Sequence, residues 1–288
     1  MRIPARAVIA TSRAAGRVGG RWLAHRVRNP VFIVGCGRSG TTLLNHLFDR
    51  HPEVANYPAE ANELWHPRLY PWRRAQVDAP PFWVDPVAFT RISLAGRTEA
   101  DDRLLLGTFA AFQTLARRRL FLNKTVMVTF MLDKVLALFP SAKLVHLYRD
   151  GRAVALSMLV KEAAKVSGSR YAEKGYRYER DALLDMYAKH WQDHILALAE
   201  ADRRHGLTGR GRLFELSYEG LCRDPHTTVV ALADYLGISA APFTSGDLAG
   251  IRNTNYKSKQ SLSADALARL NRLAAPGLAA KAYGAEIA

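Results

Sequence analysis

The segment VFIVGCGRSGTTLL, residues 31–44, limits the fold more than any other stretch of the chain. Residues 31–34 are apolar and rich in β-formers, which reads as a buried strand. Gly35, Gly37 and Gly40 then make a tight turn, and Thr41 to Asp49 carries Leu43, Leu44, Leu47 and Phe48 at helical spacing. A strand that passes into a helix through glycines presents backbone N–H groups in a concave nest, which suits an anion. Gly35 and Gly40 have the separation of a nucleotide phosphate loop, G-x-x-x-x-G-K-[ST], but Thr41 stands where the lysine belongs. The only cation inside the loop is Arg38. Taken alone, the same turn serves equally as a plain strand-to-helix connection.

The remaining chain repeats the alternation. LFLNK (120–124), KLVHLY (143–148) and RLFEL (212–216) read as strands. Helical patterns cover 101–118, a stretch ending near Phe139-Pro140, GRAVALSMLVKEAAK after Tyr148, a long run from Asp181 to Arg204, and TTVVALADYLG with Gly237 as its stop. Strands alternating with helices predict a P-loop-like α/β fold: one mostly parallel sheet with helices on both faces, in a single domain over residues 30–288. Residues 66–86 hold five prolines and two tryptophans and are expected to form a long loop. Trp65, Trp72 and Trp83 around it either line an acceptor pocket or anchor the loop.

Composition matters mainly through charge. The net charge of +15 points to an anionic ligand, a nucleic acid or an anionic membrane surface, or simply to a soluble surface. Residues 1–28 carry seven arginines and no acid; Arg2 and Arg6 are four apart, and Arg13, Arg17 and Arg21 continue at the same step. We therefore expect residues 1–29 to form a basic arm, read as a solvated extension, a membrane-surface helix or a transit peptide. Two cysteines make no disulfide framework, and no apolar run reaches the length of a membrane span, so a cytoplasmic, membrane-associated at most, protein is expected.

A second anion site follows the KLVHLY strand. Arg149 ends it, Asp150-Gly151 make a turn, and Ser157 lies two helical turns on, so arginine and serine can converge on a phosphate. Asp150 would repel that phosphate and suits a helix cap. GCGRSGTTLL and LVHLYRDGRAVALSML, in this order and spacing, resemble the sulfotransferases that use 3′-phosphoadenosine 5′-phosphosulfate (PAPS), most closely their bacterial and tyrosylprotein branch. HPEV, LNKT and LSYEGLCRDPHTTVVALADYLGI occur in family order, and the resemblance spans about residues 30 to 285.

That resemblance implies in-line transfer of a sulfuryl group from PAPS to an acceptor hydroxyl or amine, without a metal. Gly37, Arg38, Ser39, Gly40, Thr41 and Thr42 correspond to the 5′-phosphosulfate loop, and Arg149 with Ser157 to the 3′-phosphate site. A transferring sulfuryl group carries less charge than a phosphoryl group, which accounts for a loop with no lysine and no magnesium partner. Glu60 is implied as the general base, with Glu63 and then His66 behind it; Glu60 fits with one residue inserted relative to the tyrosylprotein branch. Lys124 matches a strand-end lysine that stabilises the leaving group. Tyr218 matches a tyrosine near the adenine, or packs in the core. Lys257 or Lys259, in RNTNYKSKQSLS, would reach the 3′-phosphate.

No metal is expected. His190 and His194 are four apart, but no third ligand is obvious, and Cys36 reads as a small neutral filler. The competing readings are a P-loop kinase of a small molecule, against which the absent Gly-Lys-Thr speaks, and a non-catalytic basic protein that binds membrane or nucleic acid. The arginines gather in the arm and at strand ends rather than among exposed aromatics, so no nucleic-acid partner is expected. Carbohydrate, lipid, peptide tyrosine and natural-product acceptors all remain open.

Overall fold

The computed structural model describes residues 9–17, 26–70, 77–167 and 178–288, without the side chains of 162–167. Five parallel strands, β1 (Pro30–Val34), β2 (Val54–Asn56), β3 (Leu120–Lys124), β4 (Lys143–Tyr148) and β5 (Leu213–Ser217), form one sheet in the order β2-β3-β1-β4-β5. The principal helices are α1 (Thr41–Leu47), α2 (Pro86–Ala95), α3 (Glu99–Ala116), α4 (Leu132–Leu138), α5 (Gly151–Ser167), α6 (Arg180–His205) and α7 (Pro225–Leu236).

The parallel sheet follows from strand composition. β1 is buried along its whole length, and a strand covered on both faces needs no polar alternation. Its residues divide by the pleat. Phe32 and Val34 enter a core with α3 and α4, while Val31 and Ile33 enter another with Leu44 of α1 and Val229 and Leu232 of α7. A third core joins α5 to α6 through Val154, Leu159, Leu183, Tyr187 and Trp191. Helices thus cover both faces of the sheet, as the alternating pattern requires.

β1 pairs with β3 on one side (Val31↔Leu122) and β4 on the other (Phe32↔Leu144). The chain leaves β1 toward β2 and later crosses to β4, so the direction of winding reverses beside β1. Such a reversal opens a crevice at the carboxyl ends of the strands. Gly35, Lys124 and Arg149 all follow or end strands at that edge.

Residues 66–70 and 77–85, the described part of the expected loop, hold no helix or strand, and α2 begins where the loop ends: Asp85 accepts from Ala88 N at 2.8 Å and Pro86 takes the first helical position. Residues 71–76, including Trp72, lie outside the described residues. Residues 9–17 of the basic arm are helical rather than a solvated extension. Ser12 is buried, Ile9 packs on the core beneath α3, and the Cα of Gly16 lies so close to Thr108 that a Cβ there would stand 2.7 Å from its backbone N. Arg2, Arg6 and Arg21 lie outside the described residues. Among the described residues, no helix is long and apolar enough to cross a membrane.

Candidate active site

The loop after β1 reverses in very little space. Gly35 has φ 130°, and a Cβ there would lie 2.5 Å from Leu147 O; Gly40 has φ 97° and would clash with the Tyr218 ring at 2.9 Å. Both positions therefore exclude any side chain. Arg38 also takes a left-handed conformation, φ 69°, which costs an L-residue about 1–2 kcal/mol. Strain of this kind persists where the rest of the structure imposes it, commonly at ligand sites. Ser39 N bonds back to Cys36 O at 3.3 Å, whereas among the described residues no acceptor takes the N–H groups of Gly37, Arg38, Gly40, Thr41 or Thr42. The buried Ser39 hydroxyl is likewise without a partner there. These donors make a polar cradle whose one fixed cation is Arg38.

The second strand end closes on the first. Arg38 Nε donates to Ser157 Oγ at 3.2 Å, so the loop and α5 already touch. Arg149 is 7% exposed and donates to Asn255 Oδ1 (2.7 Å), the Arg38 carbonyl (3.2 Å) and Thr254 Oγ1 (3.2 Å). Its guanidinium lies 4.5 Å from the centroid of the Tyr218 ring. Burial lowers its pKa, and the neighbouring Arg38 adds to this, while Tyr218 and Glu219 oppose it. No carboxylate forms an ion pair with Arg149 among the described residues. A buried guanidinium held only by neutral acceptors, with two of its five N–H donors unspent, is prepared for an anion.

The cleft between these elements, about 240 Å³, is lined by Arg38, Gly40, Thr41, Thr42, Leu43, Arg149 and Tyr218. Tyr218 forms its wall and donates to Arg252 O at 2.7 Å. Lys257 and Lys259 are exposed on the short helix Tyr256–Ser261, outside the cleft lining. Thr254 and Asn255, just before it, are the residues of that segment that reach Arg149.

Asn255 was not legible as a site residue. Its amide donates to Glu219 Oε1 at 2.7 Å, and the same oxygen accepts from Asp150 N at 3.0 Å. Asp150 accepts from Arg152 N at 3.0 Å in the manner of a cap, but its carboxylate chiefly pairs with the fully buried Arg152 side chain at 2.7 Å.

A second polar group lies at the end of β3, where Lys124 is in register with Ile33 of β1. Lys124 Nζ donates to Glu60 Oε1, and both side chains are half-buried or better. Asn62 Nδ2 approaches the other Glu60 oxygen at 3.4 Å. Asn123, buried beside Lys124, donates to Ala59 O at 2.8 Å and accepts from Trp65 Nε1 at 3.3 Å, which fixes the loop carrying Glu60. Trp65 belongs to the core, packed on Phe32 and Phe109. Trp83 packs on Tyr187 and Tyr178. Glu63 is instead engaged by Arg13 of the amino-terminal helix. His66 is fully buried, bonded through Nδ1 to Ser93 Oγ at 2.8 Å. Burial, reinforced by Arg97, lowers its pKa to about 3, so it remains neutral at ordinary pH.

The structure also supplies what the His190–His194 pair lacked in the sequence. Cys36 stands beside them, and the ligand atoms of the three buried residues lie within 4.8 Å of one another. Burial pushes the Cys36 thiol up, with Asp193 adding to it, and holds His190 down at about 3. The separation of 154 positions hides this contact from any reading of spacing.

Comparison with known proteins agrees with this architecture. A model of the sulfotransferase family matches residues 30–242, well over half of the chain. Protein-tyrosine sulfotransferase 2 of Gallus gallus is 29% identical over 216 residues, 73% of this chain; the chain spans about half, 51%, of that relative's length. Among solved structures, the fold is shared with sulfotransferase STF1 of Mycobacterium tuberculosis H37Rv (15% identity, 92% of this chain and 81% of that one, TM-score 0.61). It is shared as well with the sulfotransferase domain of the Synechococcus PCC 7002 olefin synthase (21% identity, 90% and 97%, TM-score 0.56). With the phosphate-loop geometry, the family match leads to one conclusion: the chain belongs to the sulfotransferase family.

Proposed function

We propose that the protein transfers a sulfuryl group from PAPS to an acceptor hydroxyl, releasing 3′-phosphoadenosine 5′-phosphate (PAP). The observation that carries this reading is the convergence of two anion sites on one cleft. The strained loop of residues 35–42 touches α5 through Arg38–Ser157, and Arg149, buried with no carboxylate partner among the described residues, bonds to that loop's backbone.

In this reading the loop N–H groups and Arg38 hold the 5′-phosphosulfate, while Arg149 and Ser157 hold the 3′-phosphate. Tyr218 keeps Arg149 in place and borders the nucleotide. Glu60 takes the proton of the attacking hydroxyl as its oxygen bonds to sulfur. Lys124 and Arg38 stabilise the charge left on the phosphate oxygen as its bond to sulfur breaks. The ion pair between Lys124 and Glu60 supports a shared site for the two roles. No step requires a metal. The acceptor is a hydroxyl compound, with carbohydrate, lipid, peptide tyrosine and natural product as the classes to screen.

Calorimetric titration of PAP against wild type and Arg149→Ala, with ATP–Mg as control ligand, tests the nucleotide assignment. Tight, metal-independent PAP binding lost in the variant is the expected result. A preference for ATP–Mg, or no PAP binding, overturns it.

A further inference from the structure

Cys36, in the phosphate loop but not among the residues lining the cleft, meets α6 at His190 and His194. All three are buried, and their ligand atoms fall within 4.8 Å of one another. The two imidazole Nε2 atoms are 3.2 Å apart. Zinc held by two imidazoles at 2.0–2.1 Å in a tetrahedral arrangement sets its nitrogens about 3.3 Å apart. The histidines therefore already stand at the coordinated separation, one helical turn from each other, with a thiol beside them.

The surroundings complete the picture. Phe82 and Phe130 pack on both rings, Phe130 4.7 Å from His194 and Phe82 5.2 Å from His190. This apolar wall would exclude water and leave the metal to the protein's own ligands. A third imidazole lies nearby, outside the group within 4.8 Å. His146, fully buried on β4, has Nδ1 2.7 Å from Glu215 Oε1, and its Nε2 has no partner among the described residues. A carboxylate on Nδ1 with Nε2 left open is the arrangement that orients metal-ligating histidines. The ring edge bearing Nε2 borders the loop: His146 Cδ2 lies 3.2 Å from where a Cβ on Gly35, the neighbour of Cys36, would stand.

We propose that Cys36, His190 and His194 bind one zinc ion, with His146 as the fourth ligand. A donor set of one thiolate and imidazoles, with no carboxylate, favours zinc over magnesium or calcium. The Cys36 thiol loses its proton to solvent as the sulfur–zinc bond forms. The ion would fasten the phosphate loop at its second residue to α6 and β4. It takes no part in sulfuryl transfer, so the inference does not rest on the proposed reaction. Because the ligands are buried, the ion enters as the chain folds.

The test is elemental. Full-length protein purified from zinc-supplemented growth without chelator should contain about one zinc per chain by mass spectrometry. Cys36→Ser and His194→Phe, the latter matched to the phenylalanine wall, should lose it, while Lys124→Ala at the end of β3 keeps it. Wild type unfolded with chelator and refolded with Co²⁺ should show a thiolate-to-cobalt charge-transfer band and tetrahedral d–d bands. Should either variant fail to fold, the wild-type zinc content and cobalt spectrum decide alone. Zinc well below one per chain together with no cobalt band overturns the proposal, as does stoichiometric zinc that both substitutions leave in place.

Discussion

Arg38 holds a left-handed backbone, φ 69°, at which a glycine would sit without cost. If its guanidinium serves the nucleotide, removing it should separate stability from binding. Three proteins make the comparison: wild type, Arg38→Ala and Arg38→Gly. Both variants lose the exposed bond to Ser157 Oγ, worth about 0.5–1 kcal/mol. Both also lose the repulsion that Arg38 exerts on Arg149. Only glycine releases the left-handed strain of about 1–2 kcal/mol, partly offset by about 0.5–1 kcal/mol of extra chain entropy in the unfolded state. Arg38→Gly is thus expected to be about 0.5–1 kcal/mol more stable than Arg38→Ala, a difference of about 1–2 °C in Tm for a chain of 288 residues. Against PAP, both should bind about 10–100-fold more weakly, the loss of one charged hydrogen bond of about 1.5–3 kcal/mol. Chemical denaturation and calorimetric titration of the same preparations give both numbers. Equal stability of the alanine and glycine variants would refute the strain argument, and wild-type PAP affinity in either would remove Arg38 from the site.

Other consequences are simpler to state. Glu60→Gln should leave PAP affinity within a factor of a few and lower kcat by about 10²–10⁴; unchanged kcat would move the base elsewhere. Lys124→Ala should lower kcat by about 10²–10³ with a smaller change in PAP affinity, read by steady-state kinetics and calorimetry together. His66, buried and neutral, has a folded pKa of about 3 against 6.5. The unfolded chain therefore takes up its proton first, and stability present above pH 6.5 is lost as pH falls toward 3, by about 1.4 kcal/mol per unit. Urea unfolding of wild type and His66→Gln at pH 7 and 5.5 should show the variant losing less on acidification. Phe32→Ala, at the centre of a fully buried strand, should cost about 3–5 kcal/mol, checked by the same unfolding assay.

What the sequence revealed follows the strength of its local signals. β3 and β4 coincide with LFLNK and KLVHLY because buried parallel strands are short apolar runs between polar breaks. β2 went unread: three residues, Val54–Asn56, carry neither a run nor an alternation, and their strand form comes from pairing with β3. The cap and first-turn proline of α2 were present as Asp85-Pro86, but surrounding prolines masked them. At the site, Arg38, Arg149 and Ser157 could be placed from motif spacing. Asn255 could not, because its role arises from contact with residues over a hundred positions earlier. The same applies to Arg13, whose ion pair with Glu63 uses a side chain that composition alone had assigned to an unpaired arm.

The pairing of β1 also sets a timetable for synthesis. Its hydrogen-bonded neighbours begin at Phe121 and Lys143, so this apolar strand has no partner until roughly a hundred further residues have been made. At about 5–20 residues per second, it waits roughly 5–20 s on the ribosome before either neighbour emerges. Throughout that interval the segment that later becomes the centre of the sheet is a bare, aggregation-prone edge. Folding yield should therefore depend on translation speed across residues 35–120 and on chaperones that occupy the nascent β1, more than on anything at the finished cleft.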